Sequence, residues 1–484
     1  MSDDQASRLY IDGILRPAAD RLTYPVESPV TGTAAGLAAN ASHADVDEAI
    51  AAARRAFDAT AWSADVELRV QALRRWQKAM QDLADDWRDR IMAESGCTRL
   101  MTHLLHLDKP LEMMAWPIAL AEQYEWERDL SLSLPMGEAR RRLVVKEAAG
   151  VIGAITPWNV PLQINIAKAA SALAAGCTVV LKAAPDTPWA AALMGEAAAR
   201  AELPPGVFNV ITSHDKAALG EQIVTDRRVD VISFTGSTAV GRRIMEAAAP
   251  TLKRVFLELG GKSANIVLDD ADLPTALQTG AAVCFHAGQG CALTTRLLVP
   301  RSRYAEAIGI LKDMFEAVPF GEPNSMEQVM GPVVSRAQYD RVLGYIDAGK
   351  AEGARLVTGG EGLLSQTGGY YIRPTLFADV SNDMQIAQEE IFGPVLVVIP
   401  FDDDDDAVRI ANDSPYGLSG AIQSGDPERA LRLARRVRTG TLSINGASYF
   451  GPDAPFGGYK QSGIGREMGL EGFEEFLQTR IIAL

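Results

Sequence analysis

Apolar residues recur at helical spacing from Val46 to Ala59 and from Val66 to Glu94, with charges between them, and predict two or three amphipathic surface helices. From Arg141 the pattern changes to short β-rich apolar runs, each closed by glycine or proline and followed by an alanine-rich helical stretch. Val151 to Ile155 precedes a helix over Gln163 to Ala175, and Cys177 to Leu181 precedes one over Pro188 to Arg200. Val207 to Ile211 and Val229 to Phe234 continue the alternation. This order implies an α/β fold with a mostly parallel sheet, an architecture that binds dinucleotides at its strand ends. A second block starts at Ser263 to Leu268 and runs through Leu297, Arg355 to Val357, Val395 to Ile399 and Gly440 to Ile444, so two α/β domains in series are expected. Leu130 to Val145 alternates like a β-hairpin set between the early helices and the first sheet. The acidic run Asp402 to Asp406 precedes a helical pattern and is expected to be a solvated N-terminal cap.

Length agrees with two or three domains, since 484 residues exceed what one core usually serves. The formal net charge of −15 argues against a nucleic-acid binder, which needs clustered cations to neutralise phosphates. The first residues show no basic stretch followed by an apolar run, and no apolar stretch is long enough to span a bilayer, so a cytoplasmic protein without membrane partners is expected. Cys97, Cys177, Cys284 and Cys291 form no paired motif, which leaves a disulfide scaffold and a structural metal unsupported. His103 and His106 could share a helical face, but carry no further ligand, so no metal site is expected.

The dinucleotide fingerprint GxGxxG is absent, and Gly261-Lys262-Ser263 fails as a P-loop because Phe256 stands where the first glycine belongs. Instead, Phe234-Thr235-Gly236-Ser237-Thr238-Ala239-Val240-Gly241 closes a strand with a turn that opens a helix, and its free N–H groups suit a pyrophosphate. A plain strand-to-helix turn explains it equally. Gly288-Gln289-Gly290-Cys291 gives a thiol small neighbours, so a substrate can approach the sulfur and free N–H groups can hold an oxyanion. A free thiol ionises near pH ~8.5, so a reactive one needs electropositive surroundings; a lone cysteine is otherwise buried filler. Leu257-Glu258-Leu259-Gly260-Gly261-Lys262 puts a carboxylate at an apolar strand end, where desolvation makes a base of it unless Lys253 or Arg254 pairs with it. Thr156-Pro157-Trp158-Asn159-Val160-Pro161 fixes an amide between prolines, as an oxyanion donor or simply a stiff turn.

Taken together with Glu389 to Pro394 (EEIFGP) and Pro455 to Glu467 (PFGGYKQSGIGRE), these segments resemble the aldehyde dehydrogenase superfamily along nearly the whole chain. The resemblance implies two Rossmann-like α/β domains plus a small β oligomerisation arm. Residues 1–127 with 147–257 would form the dinucleotide-binding domain, 258–447 the catalytic domain, and 128–146 with 448–484 the arm and C-terminal segment. It implies Cys291 as nucleophile, Asn159 and the Cys291 N–H as oxyanion hole, Glu258 as the base that activates water, and Lys168 with Glu467 as a proton relay. For an NAD cofactor it implies Lys182 at the adenosine ribose, Ser237 at the pyrophosphate, and Glu390 and Phe392 at the nicotinamide ribose. Ile155, Thr156, Pro157, Trp158, Phe234, Gly236, Val240, Glu258, Leu259 and Gly260 would complete that surface. Pro185 stands where many NAD-preferring relatives carry a glutamate, so NADP is also admitted. Val160, Gln163, Ala167, Phe285 and Ala292 would line the substrate tunnel, several of them small, which implies room for a bulky aldehyde, cyclic or aromatic. Glu94-Ser95-Gly96-Cys97-Thr98 departs from the family's pattern and is expected to be structural. Two other outcomes stay open: release of the acyl group by CoA, which Glu258 disfavours, and a non-catalytic crystallin-like protein, which Cys291, Glu258 and Asn159 together disfavour. The resemblance also implies a homo-oligomer, a dimer or dimer of dimers, with the arm and Phe473 to Leu484 at the contacts.

Overall fold

The computed structural model describes residues 6–130 and 141–484. Strands β1 (Val151–Ile155), β2 (Thr178–Lys182), β3 (Phe208–Ile211), β4 (Val231–Thr235) and β5 (Arg254–Glu258) run parallel in the spatial order β3-β2-β1-β4-β5. Their apolar runs are buried because helices cover both faces. Ile155 lies beside Lys182 and Phe234, and Thr235 beside Glu258, so the carboxyl ends finish along one rim. The order reverses between β1 and β4, the switch point at which such sheets open a crevice. Leu9–Ile11 and Ile14–Arg16 extend one edge as a hairpin, and Gly463–Ile464 closes the other.

Helices α1 (His43–Ala59) and α2 (Val66–Ser95) form as their periodicity predicts. Ser42 and Asp45 make a reciprocal capping box at the start of α1, and Gly96 ends α2 in the left-handed conformation at φ 69°. The buried face of α2 packs on α3 (Pro161–Ala174) and α4 (Trp189–Arg200) through Trp76 and Trp87; fully burying such an indole contributes at most ~5 kcal/mol. Arg69, 1% exposed, donates to the carbonyl of Ala174 and so caps the carboxyl end of α3 with a cation.

The second sheet holds β6 (Ala264–Val267), β7 (Arg296–Pro300), β8 (Thr375–Ala378), β9 (Val395–Phe401), β10 (Gly420–Gln423) and β11 (Ser443–Ile444), parallel in the order β8-β9-β7-β6-β10-β11. Arg355–Thr358 joins antiparallel at its edge. Arg296, also 1% exposed, donates to the carbonyls of Ile410 and Ala411 and repeats the Arg69 device at the end of α5 (Asp404–Asn412). Asp403 caps α5, but its neighbours are not merely solvated: Asp402, Asp404 and Asp405 pair with Arg301, Arg429 and Arg436.

Glu127–Asp129 and Arg142–Ala148 pair antiparallel, as the hairpin reading of Leu130 to Val145 requires, while residues 131–140 of that hairpin lie outside the described residues. Leu477–Ala483 adds a third strand beside Arg142–Ala148. Tyr459–Lys460 pairs with Tyr416–Gly417 in a separate two-stranded ladder and Gly463–Ile464 pairs with β5, so this stretch joins the edge of the first sheet to the chain just before β10 through backbone hydrogen bonds. Among the described residues no helix is long and apolar enough to cross a membrane, and no cluster of three metal-ligating side chains occurs.

Candidate active site

The rim of the first sheet is built by strand ends. Beyond β1, Thr156, Pro157 and Trp158 lead to Asn159, which is buried just before α3 begins at Pro161. Past β4, Gly236 and Ser237 open the helix Thr238–Ala248, with Ser237 as its N-cap and Ser237, Ala239 and Val240 exposed on the crevice side of the turn. Gly241 lets this helix approach β5, since a Cβ there would lie 2.7 Å from Leu259. Lys182 ends β2, 2% exposed; burial pulls its ammonium down to about 8, with the nearby Asp215 carboxylate acting against that pull. Pro185 and Asp186 come next in the chain, and Asp186 faces Lys216 at 3.9 Å.

Glu258 ends β5, 4% exposed, with Oε2 unpartnered. The expected alternative, a salt bridge to Lys253 or Arg254, does not form: Lys253 donates to the Asp226 carbonyl and Arg254 to those of Glu475 and Leu477. Burial first, and the Glu467 carboxylate second, hold Glu258 well above the ordinary carboxylate range, while Lys168 and Arg466 pull the other way. Lys168, its side chain fully buried, donates to Glu467 and, at 3.0 Å, to Ser233 Oγ. The residues expected as a relay are therefore in contact.

Cys291 arrives from the other domain on a loop of unusual backbone. His286, Ala287 and Gly288 stand consecutively at φ 49°, 52° and 74°. Left-handed conformation is costly for a residue with a Cβ, so the loop persists only because its surroundings hold it. At Gly288 no side chain fits, for a Cβ would lie 1.9 Å from the Gly393 carbonyl oxygen. Gln289 is locked between His286 O, to which its amide donates at 3.1 Å, and Val334 N, from which it accepts at 2.9 Å. Asn159 Nδ2 donates to the Gln289 carbonyl at 3.0 Å, which places the amide two residues from the sulfur and leaves its second N–H for another acceptor.

Burial pushes the Cys291 thiol up to about 12, and the Glu390 and Glu258 carboxylates push the same way. The electropositive surroundings that a thiolate at neutral pH would need are not what the fold supplies: the two charged groups that act on this sulfur are carboxylates. Burial also lifts Cys97, Cys177 and Cys284 to about 12, but of the four cysteines only Cys291 keeps part of its surface open. Gly260 and Gly261 explain the crowding, because a Cβ at the first would meet Glu390 Oε2 at 2.5 Å and at the second the Cys291 carbonyl at 2.4 Å. Glu390 accepts from Gly261 N at 3.0 Å, and burial raises it to about 7. Phe392 meets Trp158 edge-on at 5.3 Å between ring centroids.

Gln163 and Ala167 line a cavity of about 30 Å³ with Met113, Met114, Trp116, Pro452 and Met468. The space is narrower than small residues alone imply, because methionines and an indole from sequence regions without a motif occupy it. Val160, Phe285 and Ala292 lie outside that lining; Phe285 stands 43% exposed on the strained loop. Tyr449, whose hydroxyl meets Ser419 Oγ at 2.8 Å, lies within electrostatic reach of Cys291 and was not legible in any motif. A larger hollow of about 790 Å³ beside Asp89, Trp189 and Glu196 holds none of these residues. Glu94 is structural, as expected: fully buried, it accepts from the N–H groups of Trp189 and Ala190 at the start of α4.

A profile described as "Aldehyde dehydrogenase family" matches residues 16–482. The chain belongs to the aldehyde dehydrogenase family. It is 43% identical over 480 residues to a 3-succinoylsemialdehyde-pyridine dehydrogenase from a Pseudomonas species, covering 98% of this chain and 97% of that one. Among solved structures it superposes with TM-score 0.91 and 39% identity on a cysteine-to-alanine variant of aldehyde dehydrogenase C from Pseudomonas syringae bound to NAD+ and octanal, covering 99% and 97% of the two chains. An aldehyde dehydrogenase from Mycobacterium tuberculosis complexed with NAD+ gives TM-score 0.94 at 40% identity, covering 99% and 98%. The mixed α/β frame with parallel sheets matches the aldehyde dehydrogenase structures it superposes on.

Proposed function

We propose that this aldehyde dehydrogenase oxidises a bulky hydrophobic or aromatic aldehyde to its carboxylic acid with NAD+ as the hydride acceptor. The observation that carries the reading is the meeting of a partly open Cys291, a desolvated Glu258 and an Asn159 amide tied to the nucleophile's own loop. The family's cofactor fits what is present: a switch-point crevice, a helix N-terminus opened by Gly236 and Ser237, and glycines at 260 and 261 that leave no side chain between Glu390 and Cys291. Lys182 would hold the adenosine ribose, Ser237 the pyrophosphate, and Glu390 with Phe392 the nicotinamide ribose. NAD(P)+ supplies the hydride acceptor when bound. The Asp215 carboxylate, which accepts from the N–H groups of Ala217 and Ala218 at the start of the helix Ala218–Thr225 and acts on Lys182, places negative charge near where a 2′-phosphate would lie and supports NAD over NADP despite Pro185.

Proton affinities set the chemistry at the chain's own residues. A resting thiol near 12 is inert, so Glu258, held by burial well above the ordinary carboxylate range, takes its proton as the sulfur adds to the carbonyl carbon. Asn159 Nδ2 and the Cys291 N–H meet the charge that develops on oxygen. After oxidation the acyl group is a thioester on Cys291. The Glu467–Lys168–Ser233 chain gives the thiol proton a route away from Glu258, which, a carboxylate again, deprotonates water for hydrolysis.

The substrate class rests on relatives named for a pyridine-bearing semialdehyde and solved with octanal, and on the apolar lining beside Gln163 and Ala167, whose methionines would have to rearrange to admit a ring or chain. A panel of aldehydes assayed with NAD+ and NADP+, with and without CoA, tests it. Octanal and ring-bearing aldehydes are expected to exceed acetaldehyde in kcat/KM by about tenfold or more. A higher kcat/KM for acetaldehyde than for every larger aldehyde refutes the substrate assignment, and product formed only with CoA refutes the hydrolytic one. The same reading makes the chain a cytoplasmic homo-oligomer, supported by four free thiols and by the edge strand Leu477–Ala483, on which Ile481 is 62% exposed.

A further inference from the structure

We propose that His286, its ring held by His106, is a positioning residue that fixes Asn159 at the oxyanion site. The inference rests on Asn159 being the oxyanion donor. His286 Nε2 lies 2.6 Å from the backbone carbonyl of Asn159. Together with the bond from Asn159 Nδ2 to the Gln289 carbonyl, this clamps Asn159 at both its backbone and its side chain to one loop, the loop that carries Cys291. Nucleophile and oxyanion donor, which come from different sheets, are thereby held in register by residues 286 to 289.

Only the Nε2–H tautomer of a neutral imidazole can donate to that carbonyl. Burial keeps the ring neutral, pulling His286 down to about 4, so the tautomer is set by the bond itself. The ring is oriented in turn by His106, which meets it edge-on at 4.4 Å between centroids. His106 is fully buried, yet neither of its nitrogens has a hydrogen-bond partner. A polar ring in that state carries a desolvation cost that an apolar residue would avoid, so packing alone does not account for it. The backbone around it is equally specialised. His106 ends a π-helical turn, Thr102–His106, and that segment is anchored to α2 by Arg88, which donates to Thr102 Oγ1 and to Asp108. Wide turns of this kind re-aim a side chain at functional sites. Here the turn points His106 at His286, and His286 itself stands at φ 49° to reach Asn159.

A double-mutant cycle tests the proposal. His286→Asn suits a left-handed backbone but is too short to reach the Asn159 carbonyl, whereas His286→Gln keeps an N–H donor at similar reach. With octanal and NAD+, kcat of His286→Asn is expected to fall about 30-fold with KM for NAD+ held within about twofold, and His286→Gln to recover to within about threefold of the parent. In an Asn159→Ala background, His286→Asn should cost no more than about a further twofold, because the group it positions is gone. An equal loss in both backgrounds overturns the proposal, as does His286→Asn at parental kcat or His286→Gln no better than His286→Asn. Asn159→Ala at parental kcat instead overturns the oxyanion reading itself, so the two failures are distinguishable. Should His286→Asn not fold, His106→Leu stands in: it removes no hydrogen bond, so the melting temperature should hold or rise while kcat falls about fivefold. Unchanged kcat there removes His106 from the device.

Discussion

The rim of the first sheet and the loop that delivers Cys291 solve opposite problems. The rim is regular: strands in register, a capped helix, and glycines where backbone must approach, so the surface expected to receive the cofactor exists before anything binds. The loop is irregular, with three successive left-handed residues and the proposed nucleophile, Cys291, whose thiol is held protonated by burial and two acids. On the proposed function, the difference teaches that binding is preformed by the fold, whereas reactivity is withheld until a proton is removed. Strain and unfavourable ionisation collect on the reactive side, where the surrounding packing can hold them.

The comparison breaks most decisively at the sulfur. Cys291→Ala should lower kcat by about 10⁴-fold or more while leaving the dissociation constant for NAD+, measured by fluorescence quenching, within about threefold. A large loss of cofactor affinity would show that rim and loop are one site rather than two. Glu258→Gln, at their junction, should lower steady-state turnover by about 10²- to 10³-fold and shrink the initial burst of reduced cofactor, because the same carboxylate takes the thiol proton and activates water. Unchanged steady-state turnover removes Glu258 from the mechanism.

Ionisation of the loop can be read directly. A thiol that titrates near 12 gains about tenfold in thiolate fraction per pH unit below that value, so iodoacetamide labelling of Cys291 without cofactor should accelerate about 100-fold between pH 7 and pH 9, with no plateau. A plateau near neutrality would mean the thiolate is stabilised and the contrast with the rim is false. The smallest effect belongs to the rim: Asp215→Asn should raise kcat/KM for NADP+ about five- to tenfold, by removing a carboxylate near Lys182, and leave that for NAD+ nearly unchanged.

Much of this was legible because it is local. The strands Val151–Ile155, Thr178–Lys182 and Val231–Thr235 announce themselves as apolar runs closed by glycine or proline, and the helices α1 and α2 by their period. The edge strand Gly463–Ile464 sits in a glycine-rich motif with no strand pattern, and pairs only because β5 offers it a free edge. The N-terminal hairpin Leu9–Ile11 and Ile14–Arg16 is too short to carry a period of its own. In the site, motif residues were nameable singly, but Tyr449, Met113, Met114 and His286 were not, since nothing in their neighbours signals that they converge.

Sequence by itself settled the family, the doubly layered architecture and the identity of the groups able to do chemistry, because strand period, turn residues and short motifs are encoded within a few positions of one another. Only the tertiary structure decided how those groups ionise and what lines the cavity beside Gln163 and Ala167. Desolvation depends on everything packed around an atom, and residues as distant as Glu258, Cys291 and Glu390 change one another's proton affinity only once folding has brought them within reach.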